Sequence, residues 1–235
     1  MKLTYSYNSL KDISNLSQGE KFIEILLSHG LVIDKVDDHE PVRRAFDISM
    51  LSEHWKGIGP TGGHSTCYFL FKGQKKINFS GMVTWNINLG SRSKVFNGVH
   101  LWLNTSKNFN TKELIKLGDD LFIWSGAVYG YVTDNSKDKS KIVPGGIYLG
   151  LPGLMWVNYF GPVYIKEPDF RIPPDYISVG HGIRYTLTET PIDDRLDDPS
   201  FLKHWKDYFG YEWFWEKPRR KLQVPLFDNS ELCRQ

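Results

Sequence analysis

Cys67-Tyr-Phe-Leu-Phe71, Asn78-Phe-Ser-Gly-Met-Val-Thr-Trp-Asn-Ile-Asn88 and Val99-His-Leu-Trp-Leu-Asn104 decide the fold. The first is continuously apolar, as a buried strand requires. The second alternates, with Phe79, Met82, Thr84 and Asn86 on one side and Gly81, Val83, Trp85 and Ile87 on the other. In the third, Val99, Leu101 and Leu103 alternate with His100, Trp102 and Asn104. A side-chain period of two is the period of a strand. Turn residues punctuate the runs at Lys72-Gly73 and Asn97-Gly98. Three successive strands are expected, paired antiparallel.

Working outward toward the N-terminus, Leu3, Tyr5 and Tyr7 alternate as a short first strand. Ser17 and Glu20 have the spacing of a capping box, and Phe22, Ile25, Leu26 and His29 then share one helical face up to Gly30. The span 31–66 is irregular. Its glycine cluster, Gly57-Ile-Gly-Pro-Thr-Gly-Gly63, lacks the Gly-Lys-Ser/Thr ending of a phosphate loop and reads as a loop between strands.

Toward the C-terminus, Asn110 and Glu113 repeat the capping spacing, and Leu114, Leu117, Leu121 and Trp124 form a core-facing stripe that Gly126 ends. Val128 to Val132 reads as a strand and 137–141 as a surface loop. Gly150-Leu-Pro-Gly-Leu-Met-Trp-Val-Asn-Tyr-Phe-Gly-Pro-Val-Tyr164 is apolar and aromatic but broken by Gly and Pro. It predicts a tight turn, a short helical turn, then a strand. Prolines 168, 173 and 174 forbid regular structure up to Ile177. Ile183, Tyr185 and Leu187 alternate in a late strand. Asp198 caps a last helix whose first residue is Pro199, whose face is Phe201, Leu202, Trp205 and Phe209, and whose end is Gly210. In 211–215, alternation puts Tyr211, Trp213 and Trp215 on one side and Phe214 on the other. Strands in series, interrupted by helices, argue an α+β fold: a mainly antiparallel sheet with about three helices packed on it, in one domain over 1–235 with an extended tail at 217–235.

Composition narrows the function classes. The 235 residues are 40% hydrophobic and 24% charged, enough for one filled core. Aromatics reach 14%, which suits either a sheet-rich core or an interface rich in aromatic anchors. A net charge of +2 gives no electrostatic case for nucleic acid. The N-terminus has no apolar signal region and no apolar run approaches 18 residues, so a cytoplasmic protein outside the membrane is expected. Cys67 and Cys233 are far apart and read as a reduced pair, Cys67 as a small buried hydrophobe.

No reaction chemistry stands out. The seven histidines, at 29, 39, 54, 64, 100, 181 and 204, show no metal-ligand spacing, and no nucleophile elbow is present, so neither metal nor cofactor is expected. Two acidic groups are candidates for contact with a partner: Asp37, Asp38 and Glu40 in one loop, and Asp193, Asp194 and Asp197 in another. Each reads either as a solvated turn or as a negative patch that meets a basic partner. The competing possibility is a small-ligand binder or an enzyme with an aromatic-lined pocket near 150–164, where Trp156, Asn158 and Tyr159 would line the site with His181 nearby.

Several segments together carry a resemblance. Leu151-Pro-Gly-Leu-Met-Trp-Val-Asn-Tyr-Phe-Gly161, the late strand, Phe201–Gly210 with Trp213-Phe-Trp215, Pro225-Leu-Phe-Asp-Asn-Ser-Glu-Leu232 and His39-Glu-Pro-Val-Arg-Arg44 resemble immunity proteins of bacterial toxin systems. The resemblance implies a non-catalytic α+β protein that binds a cognate toxin or effector and blocks its active site. It transfers no catalytic residue and no residue-level interface, and it leaves open whether the protein forms a homodimer.

Overall fold

The computed structural model describes residues 1–55, 66–74, 77–86, 97–105, 110–137 and 150–215. The three strands expected at its centre are β4 (Thr66–Gly73), β5 (Asn78–Asn86) and β6 (Asn97–Asn104). They pair antiparallel, with Phe69 opposite Val83 and Val83 opposite Val99. The other strands are β1 (Lys2–Ser9), β2 (Lys35–Asp37), β3 (Arg44–Ala45), β7 (Ala127–Asp134), β8 (Val157–Phe160), β9 (Ile177–Val179) and β10 (Gly182–Thr186). All ten join one sheet in the order β3-β2-β4-β5-β6-β1-β7-β8-β10-β9. The N-terminal strand lies in the middle, antiparallel to both β6 and β7.

Three long helices stand where the sequence places them: α1 (Leu16–Ser28), α3 (Thr111–Ser125) and α5 (Pro199–Phe209). The stripe Leu114, Leu117, Leu121 and Trp124 is buried, and α3 stops at Gly126, whose φ of 59° is a left-handed conformation that suits glycine. Asp198 caps α5 by accepting the Ser200 N–H at 2.8 Å. The cap of α1 is Asn15, which accepts the Gln18 N–H at 3.0 Å, and not Ser17, whose hydroxyl donates to that same Asn15 oxygen.

Two further helices of one turn, α2 (Leu51–His54) and α4 (Pro162–Ile165), raise the total among the described residues to five rather than about three. Four residues are too few to display a helical period. The described part of the irregular span, 31–55, is also more structured than a loop. It supplies β2, β3, a 3-10 turn at Ile48–Met50 and α2. In 150–164 the order is reversed from expectation: β8 comes first, and Pro162 then opens α4. Tyr211–Trp213 is a 3-10 turn, so Trp213 and Phe214 are both buried instead of facing opposite ways. The glycine cluster 57–63, the stretch 138–141 and the tail 217–235 lie outside the described residues.

Alternation assigns the faces. Leu3, Tyr5 and Tyr7 of β1, Val83 and Trp85 of β5 and Leu101 of β6 are buried beneath α1 and α3. Phe22 of α1 ties that layer together, 5.4 Å from the Phe71 ring and 4.9 Å from Trp124. On the opposite face of the C-terminal half, Tyr129, Phe160 and Tyr185 meet a second aromatic layer of Tyr164, Phe170, Phe209 and Trp213. Each such ring contributes roughly 1.5–3 kcal/mol by leaving water. Much of the aromatic content is therefore core.

Candidate functional site

Polar groups concentrate where α3 crosses β1, β8 and β10. Tyr5 donates its hydroxyl to the Leu114 carbonyl at 3.1 Å and Tyr7 to the Gly118 carbonyl at 2.9 Å. Tyr159 lies beside Tyr7, with ring centroids 5.7 Å apart, and stacks on Phe122. Burial raises all three phenols far above their usual range, so they act as neutral donors. At the margin of this layer Arg184 of β10 forms an ion pair with Asp119 of α3. Desolvation pushes the Asp119 carboxyl above the usual carboxylate range and outweighs the opposing pull of Arg184.

The four residues named for an aromatic pocket do not line one cavity together. Asn158 and Tyr159 are consecutive in β8 and therefore point to opposite faces. Trp156 is fully buried and donates its indole N–H to the Thr188 carbonyl at 2.9 Å. Asn158 is fully buried and clamps its own loop, accepting the Met155 N–H at 2.9 Å and donating to the Met155 carbonyl at 2.8 Å. Tyr159 sits under α3. His181 stacks on Phe122 at 4.6 Å, with Nε2 3.0 Å from the Ala127 carbonyl. Each polar atom that these contacts name has a structural partner.

The two acidic groups lie at opposite ends of the sheet. Asp37 ends β2, and Asp193, Asp194 and Asp197 follow β10. Seven strand steps separate β2 from β10, roughly 34 Å along the sheet at about 4.8 Å per step. At the β2–β3 corner, Asp37 is buried. It accepts the Arg43 N–H at 3.3 Å and lies 3.2 Å from Arg44 Nη2. Asp38 is exposed, 2.6 Å from His39 Nδ1 and 3.1 Å from Arg44 Nη2. The His39 contact is the first cause holding the Asp38 carboxyl below its usual range. Asp37, Asp38 and His39 bring three ligand-type atoms within 4.8 Å of one another, a set that the sequence spacing did not suggest. Arg44 already supplies a cation there. Glu40 is exposed beside them. At the other end, Asp193 caps a 3-10 turn over Asp194–Asp197 and grips Arg195 through Nε at 3.1 Å and Nη2 at 2.8 Å. Asp194 and Asp197 are exposed.

Two pairings were not anticipated from the sequence. His29, at the end of α1, places Nε2 2.8 Å from Asp120 Oδ2 on α3. On the sheet face away from α1 and α3, Ser6 Oγ lies 3.1 Å from His100 Nδ1, and burial lowers the His100 pKa so that the neutral imidazole is favoured. Both join residues more than 90 positions apart, which no local spacing reveals. Cys67 is buried, and burial pushes its thiol up, as suits an inert side chain. Among the described residues no helix is long and apolar enough to cross a membrane.

No protein-family model matches the chain, and no curated protein matches it. Among solved structures, the chain is similar in fold to the Pseudomonas aeruginosa T6SS protein PA0821, with a TM-score of 0.52. The superposition covers 91% of this chain and 76% of that one, at 9% sequence identity. At that identity the likeness is one of fold.

Proposed function

We propose that this chain is a non-catalytic immunity protein that binds a cognate toxin or effector and covers its active site. The observation that carries the proposal is the fold it shares, over 91% of its length, with a protein of a T6SS, a bacterial secretion system. The resemblance of its motifs to immunity proteins points the same way. The surface gives the reading physical sense. An inhibitor needs a rigid scaffold that pays little ordering cost on binding, and a ten-stranded sheet covered by helices on one face and by an aromatic layer on the other face of its C-terminal half is such a scaffold. The exposed acidic corners at Asp38 and Glu40 and at Asp194 and Asp197 supply negative charge that steers a basic partner.

The test is co-expression with the product of the neighbouring gene. Growth arrest by that product, relieved by this chain, is the expected result. Arrest that continues while this chain accumulates in folded form would overturn the proposal.

A further inference from the structure

We draw no further inference here: the strongest candidate, the side-chain cluster of Asp37, Asp38 and His39 at the β2–β3 corner, is a mainly acidic group whose two carboxylates Arg44 already meets, and no second observation among the described residues points to an ion there.

Discussion

The hydroxyl of Tyr159 on β8 lies directly against Gly118 on α3, so closely that a Cβ at position 118 could not fit without displacing it. The Tyr7 hydroxyl stands 3.2 Å from the same point and donates to the Gly118 carbonyl. The glycine thus sets the distance between the helix and the sheet. Two opposing effects follow from Gly118→Ala. Helix propensity favours alanine by about 1 kcal/mol, while overpacking against rigid buried rings costs about 1–3 kcal/mol. The clash dominates, because neither ring sits on a flexible stem. Chemical denaturation should show a net loss of up to about 2 kcal/mol. A more stable variant would show that α3 can lift off the sheet freely.

The Arg184–Asp119 pair ties the far part of the sheet to α3. Side-chain exposures of 16% and 22% leave some solvent screening, so the buried-pair penalty is discounted. Arg184→Met should cost about 1–3 kcal/mol by stranding Asp119, and Asp119→Leu should restore part of that loss. Additive losses in the double variant would show that the two residues are not coupled.

The same pair has a pH signature. Desolvation raises the folded-state pKa of Asp119 above its unfolded value. The folded protein therefore holds the proton more tightly than the unfolded chain, and the contribution of Asp119 to stability falls as pH rises from the ordinary carboxylate value through the raised one. The stability difference between the native sequence and Asp119→Asn should drift against the native sequence across that window and level off above it. A difference that stays flat with pH would show that desolvation does not dominate at Asp119.

Asp198 holds the start of α5 through the Ser200 N–H. Asp198→Ala should cost about 1 kcal/mol, as loss of an N-cap does, and Asp198→Ser should recover most of it. Equal losses in both variants, read from denaturation midpoints, would assign the effect to something other than the cap.

Toxin contact through the acidic end after β10 predicts a kinetic effect. Asp194→Lys with Asp197→Lys should slow association with a basic toxin by about tenfold at low salt, with the gap closing at high salt. Asp193 is left intact, because it caps the 3-10 turn and holds Arg195. An unchanged rate at low salt would remove this end from the interface.

What was legible in the sequence follows from the range of the forces involved. The period of two in Val99–Leu103 and the stripe Leu114–Trp124 are local signals, and both elements stand as read. Asp198-Pro199 and Gly126 marked helix ends because cap geometry depends on a few neighbouring residues. One-turn helices carry no period, so α2 is not legible, and the short helical turn expected within 150–164 stands after the strand, as α4, and not before it. The sheet order, with β1 between β6 and β7, is set by contacts across about a hundred residues. Site reading suffered most from this. Trp156, Asn158 and Tyr159 look like a ligand cluster in sequence, yet strand alternation turns Asn158 away from Tyr159, and backbone partners occupy Trp156 and Asn158.

The most direct measurement is size-exclusion chromatography with light scattering on this chain purified alone and mixed with the purified product of the neighbouring gene. A stable complex in which the toxin has lost its activity is the result the account predicts. Two separate peaks, from two folded proteins at micromolar concentration, would contradict it.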